Sequence, residues 1–135
     1  MHHVVFDKGD TPRRLAIDAN DVLWVPLYGS GELLAFDGRA AKFIARYPLP
    51  DRASAPYVVS WDALRKVVWV GTSNADEIYR FDPATTRFTR YPLPRTGAFM
   101  RSIPVDPATG ILWTSYSAIP PAKGPDMMLC LDPGD

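Results

Sequence analysis

The sequence predicts an all-β fold made of propeller blades. Three observations carry that expectation: an internal period of about 44 residues, four short strand-like runs inside each period, and turn residues between the runs. The period is set by independent markers. Tyr47-Pro48-Leu49-Pro50 recurs as Tyr91-Pro92-Leu93-Pro94, 44 residues on. Phe36-Asp37 recurs as Phe81-Asp82, 45 residues on. Trp24, Trp69 and Trp113 are spaced by 45 and 44, and Asp18, Asp62 and Asp106 by 44 each. Four strands in this length is the size of one blade, whereas leucine-rich repeats run at ~20–29 residues.

The elements follow in order. The first strand of each repeat is expected at 15–18, 59–62 and 103–106, ending at the marker Asp. The second carries the Trp, at 22–27, 67–72 and 111–116. The third is expected at 32–36, 77–81 and 127–131, and the fourth at 42–49 and 87–93. These runs are rich in Val, Ile, Phe, Tyr and Trp, which suit a half-buried pleated surface. Between them lie Asn20-Asp21, Gly29-Ser30-Gly31, Asp37-Gly38, Ser73-Asn74, Asp82-Pro83 and Thr109-Gly110, all turn chemistry.

One blade therefore spans 11–50 and a second 55–94, while 99–133 supplies three inner strands of another. The fourth strand of that blade is expected at the other end of the chain. His3 stands 44 residues before Tyr47, so residues 1–6 occupy the register of 45–50, an outer strand. Three blades cannot close a ring, which needs ~4–8. Two completions follow. Residues 1–6 of one chain complete the last blade of a second chain, giving a head-to-tail dimer of six blades, or further blades of a longer propeller close the ring.

Charge and composition narrow the function. Fifteen Lys and Arg balance fifteen Asp and Glu, which argues against a nucleic-acid or anionic-membrane partner. A single cysteine, Cys130, excludes an internal disulfide and a multi-cysteine zinc site. The two histidines are His2 and His3, so the blades hold no His dyad or His ligand set. His2 and His3 take an outer-strand register, far from the axis, and no metal role is expected for them. No apolar stretch approaches 18 residues and no signal segment opens the chain.

Candidate binding residues come from the repeat. Arg13, Tyr57 and Arg101 are equivalent, each five residues before a marker Asp, where the chain enters an innermost strand. Their side chains should approach the axis at one face. Two guanidiniums offer planar forks of donors to a carboxylate or phosphate, and the Tyr adds an aromatic wall and a hydroxyl. The competing expectation is that each Arg pairs with an Asp of the neighbouring blade and locks the ring. Tyr28, Asn74, Asp76 and Glu77 lie on or beside turns between second and third strands, which often border a propeller funnel. Asp76-Glu77 reads either as oxygen ligands for a hard cation or as a solvated turn. The Pro-rich stretch 117–126 is a lid, a partner-binding ridge or surface decoration. The three Trp are expected to pack between blades, and the marker Asp residues to cap turns.

Leu15-Ala16-Ile17-Asp18, Val22-Leu23-Trp24-Val25, Phe81-Asp82-Pro83 and Tyr91-Pro92-Leu93-Pro94 together give a pattern that resembles the streptogramin B lyase (virginiamycin B lyase) family. Leu129-Cys130-Leu131 is similar to the C-terminal end of such proteins, so the chain resembles their last three blades. The resemblance implies a propeller, and a divalent metal such as Mg2+ if the family's ester-opening elimination is retained. Family enzymes use His and Glu near the axis, and many are exported. Here the second strands read Trp24-Val25-Pro26-Leu27, Trp69-Val70-Gly71-Thr72 and Trp113-Thr114-Ser115-Tyr116, where the family often has Trp-Phe-Thr-Glu. Glu32 and Glu77, the two glutamates, both begin third strands, and no catalytic residue carries over. The expected function is a small-ligand or partner-binding propeller. The alternative is a metal-dependent C–O lyase or lactonase whose site needs a second chain or further blades.

Overall fold

The structure is a computed structural model and describes residues 3–116 and 127–134. It is all-β, with one 3-10 turn at Arg52–Ser54. The first sheet orders β1 (Ala16–Ile17), β2 (Val22–Leu27), β3 (Glu32–Asp37) and β4 (Lys42–Pro48) as an antiparallel meander. The second repeats it with β5 (Pro56–Asp62), β6 (Val67–Thr72), β7 (Glu77–Asp82) and β8 (Arg87–Pro92). The third pairs β9 (Leu112–Tyr116) with β10 (Met127–Leu131). No sheet closes on itself.

Local turn geometry recurs with the repeat. The hairpin turns that precede β2, β6 and β9 end in left-handed residues, Asp21 (φ 61°), Lys66 (φ 55°) and Gly110 (φ 70°). Those before β4 and β8 do the same with Ala41 (φ 52°) and Thr86 (φ 55°). A left-handed residue at the end of a short turn matches the twist of the flanking strands.

Alternating side chains build the core between sheets. Trp24, Leu33 and Ala35 of the first blade meet Val59, Val68, Val70, Tyr79 and Phe81 of the second. Val58, Val67, Trp69 and Ile78 of the second meet Met100, Ile103 and Leu112 of the third. Gly71 makes the second junction close, because a Cβ there would stand 2.8 Å from Val58 Cγ1. On the far face of the first blade, Val25, Leu27, Leu34 and Phe36 are covered by Phe6 and Leu23. The blades are also tied by backbone: Arg14 N–H donates to the Tyr57 carbonyl at 3.1 Å, and Val59 N–H to that of Arg14 at 3.1 Å.

Two expected strands differ. The first strand of the third repeat, at 103–106, is reduced to a bridge between Val105 and Leu112. Pro104 has no N–H to give the ladder; it only accepts, from Trp113 N–H at 3.0 Å. Residues 3–6 of the expected outer strand are extended but in no sheet. The strand they would extend by register, β10, is not a neighbour of theirs in this chain. Residues 1–2 and the stretch 117–126 lie outside the described residues.

Trp24 and Trp69 are buried at blade junctions as expected, at 4% and 0% exposure, whereas Trp113 is 41% exposed. It stands on the face of the third blade that no further blade covers.

Candidate functional site

The expected axial residues gather at the end of the blades where the chain runs into β1 and β5. The Arg13 guanidinium lies over the Tyr28 ring at 4.9 Å and over the Tyr57 ring at 5.8 Å. Tyr28 and Tyr57 meet edge to face at 6.3 Å, and Tyr57 contacts Phe99 at 5.2 Å. Arg101 lies 5.3 Å from the Phe99 ring, so Phe99 links the second blade to the third. Arg14 stands 5.9 Å from the other side of this group, over Tyr57, and donates to the Arg101 carbonyl at 2.6 Å.

The structure thus joins Arg13, Tyr28, Tyr57 and Arg101 through contacts, and adds Arg14 and Phe99, which the sequence reading missed. Asn74 is not part of the contact chain. It is exposed on its turn, its backbone N–H donating to the Ser54 carbonyl at 3.0 Å. Arg14 could have been found from its place beside Arg13, at the entry of an innermost strand. Phe99 carried no repeat signal, since its equivalents are Thr11 and Ala55.

Electrostatically the end is cationic. Among the described residues, no ion pair uses Arg13, Arg14 or Arg101. All three are exposed, and the aromatic rings hold the guanidiniums without taking up all their N–H groups. The competing expectation, an Arg locked to an Asp of the adjacent blade, is not what these three do inside this chain. Arg65 fits that description better: it donates to Asp62 Oδ2 at 3.1 Å and to the Gly110 carbonyl of the third blade at 3.0 Å.

The acidic candidates are committed elsewhere. Glu77 pairs with Arg90, and the Tyr79 hydroxyl donates to it at 2.5 Å. Those bonds, the Arg90 one foremost, hold its carboxyl below the usual 4.5. Tyr79 is pushed up to about 12, by burial first and by the bond to Glu77 second. Asp76 accepts from Ala98 N–H at 2.8 Å. Glu32 accepts from Arg46 at 3.2 Å and from Arg52 at 2.8 Å. Arg46 also binds Asp10 at 2.7 Å and Asp7 at 2.9 Å, and its bond is the main reason the Asp10 carboxyl lies below 3.8.

A divalent cation does not fit this donor set. Both glutamates already neutralise arginines, and no cluster of three His, Cys, Asp or Glu occurs among the described residues. The marker Asp residues cap turns, as expected: Asp18 accepts from the N–H groups of Asn20 and Val22, Asp62 from those of Leu64 and Arg65, and Asp106 from that of Ala108.

At the opposite end of the strands a recess of about 400 Å³ opens between the first two blades, lined by Asp18, Asn20, Trp61, Lys66 and Pro83. Its charged groups are sparse, and the Trp61 indole nitrogen is sealed from it by burial.

No protein-family model matches the chain, and no curated protein matches it. Solved structures do. Virginiamycin B lyase from Staphylococcus aureus superposes with a TM-score of 0.71 at 14% identity, over 95% of this chain and 43% of that one. A streptogramin B lyase structure gives 0.73 at 18% identity, over 92% and 41%. The same architecture appears in a nidogen/laminin complex, with a TM-score of 0.67 at 18% identity over 80% and 40%. The chain thus spans less than half the length of the structures it matches. At such identities the likeness establishes architecture: the chain is folded as blades of a streptogramin lyase-like β-propeller.

Proposed function

We propose that the chain is the ligand-binding part of a streptogramin lyase-like propeller, taking a small anionic or peptide-like ligand at the Arg13, Tyr57 and Arg101 end. One observation carries the reading. Three exposed guanidiniums are stacked on aromatic rings from three successive blade entries, with no carboxylate of the described chain neutralising them. A guanidinium held flat on a ring keeps in-plane donors for a carboxylate, phosphate or carbonyl. Each charge-assisted bond made there contributes about 1.5–3 kcal/mol. Tyr28, Tyr57 and Phe99 supply apolar walls for the body of such a ligand.

Calorimetric titration of the chain with citrate and with quinupristin tests the reading. Saturable binding of either, lost in the R13M/R101M double variant while its unfolding midpoint is unchanged, supports it. Equal binding by the double variant, or no binding by the parent, overturns it.

A second reading is a metal-dependent C–O lyase or lactonase, favoured by the likeness to lyases, one of them solved as a catalytically inactive form with quinupristin. Because Glu32 and Glu77 are tied to arginines, this chemistry requires residues from a second chain or from further blades. Incubation with Mg2+ and a streptogramin B, followed by a search for linearised product, separates the two.

A further inference from the structure

Three positions that the repeat buries elsewhere are bare at one place in this chain. Trp113 is 41% exposed, whereas its equivalents Trp24 and Trp69 are at 4% and 0%. Met128 is 71% exposed, whereas its equivalents Leu33 and Ile78 are both at 0%. Val5 is 83% exposed, whereas Leu49 is at 3% and Leu93 packs into the second junction. In the complete blades, these positions line the junction with the following blade. All three bare residues therefore belong to one missing junction, after the third blade.

The face such a junction needs is present at the other end of the chain. Val25, Leu34 and Phe36 of the first blade are the equivalents of Val70, Tyr79 and Phe81, which receive the first blade on the second. Phe6 already lies on that face, edge to face with Phe43 at 5.9 Å. The outer edge of β10 carries no strand among the described residues, and a bare edge is a template for pairing. In the second blade Glu77 pairs with Pro92 and Ile78 with Tyr91. The same register sets Met127 opposite Val4 and Met128 opposite His3.

We propose that a second copy of this chain occupies this face: residues 3–5 of one copy pair with β10 of the other, and Trp113 and Met128 pack on the Val25, Leu34 and Phe36 face. The contact is head to tail and is made twice. Two sets of three blades make six, within the ~4–8 that close a ring, so the assembly stops at two. Val5 is then buried as Leu49 is.

Light scattering on the 135-residue chain at tens of micromolar tests this. The expected mass is twice 15.0 kDa. Because Met128 is exposed in the single chain, Met128→Asp leaves the fold intact and is expected to return the mass to 15.0 kDa with an unchanged β-type circular dichroism spectrum. Deleting residues 1–6 is expected to do the same. A monomeric parent overturns the proposal, as does an open ladder of higher masses. A dimer that survives both changes overturns this interface.

Discussion

The indole N–H of the fully buried Trp69 donates to the Asp62 carboxylate at 3.2 Å, and Trp24 does the same to Asp18 at 3.0 Å. The two most regular markers of the repeat are thus one device. The Asp ends the inner strand, caps the turn, and then satisfies the polar atom of the aromatic that fills the blade junction. Asp62 adds an ion pair to Arg65, which reaches the Gly110 carbonyl in the third blade.

Asp62→Ala is therefore expected to cost about 3 kcal/mol, since it leaves a buried indole N–H and a mostly buried guanidinium without their acceptor. Asp62→Asn keeps an acceptor and is expected to cost less. Urea unfolding midpoints of the two variants check the order; equal loss contradicts it.

The paired carboxylates predict acid sensitivity. Arg90 holds Glu77 below 4.5 and Arg46 holds Asp10 below 3.8. A carboxylate whose folded pKa is depressed contributes stability above its ordinary value and loses it as pH falls through the folded one. Stability is thus expected to fall below pH 4.5, and Arg90→Met to flatten that limb. An unchanged acid limb in the variant contradicts the assignment.

Tyr79 gives the opposite sign. With its pKa raised from 10.0 to about 12, it contributes stability that is intact below 10 and lost as pH climbs towards 12. Phenolate absorbance should show one late-titrating tyrosine, absent in Tyr79→Phe. A uniform titration near 10.0 contradicts it.

Most of the blade pattern was legible in the sequence, because strands with one repeated register announce themselves by period. Strands β2, β6 and β10 fall at the expected residues, and β3 and β7 extend one residue further. The inner strand of the third repeat was not legible as lost, although Pro104 carried the warning. The Asp–Trp bond was also hidden, since two markers of one period reveal recurrence and not contact. At the candidate site the repeat placed Arg13, Tyr57 and Arg101 correctly as neighbours in the blade row. It missed Phe99, whose role comes from tertiary proximity to Tyr57 and Arg101. Left-handed turn residues were equally silent: Lys66 and Thr86 hold positive φ with no glycine to mark it.

That last point is itself testable. Thr86 is β-branched and sits at φ 55° on an exposed turn, an arrangement glycine adopts without strain. Thr86→Gly is expected to stabilise the chain by about 0.5–1 kcal/mol, the relief of left-handed strain exceeding the entropy cost of the glycine. A thermal midpoint that falls contradicts this.

The most direct measurement is a side-chain NMR titration of the arginine Nε–H groups with citrate. Resonances of Arg13, Arg14 and Arg101 are expected to shift together and saturate, while those of Arg46, Arg65 and Arg90, already paired with carboxylates, stay in place. Saturable shifts confined to other arginines, or no shift at all, would contradict an anion site at the Arg13–Tyr57–Arg101 end of the blades.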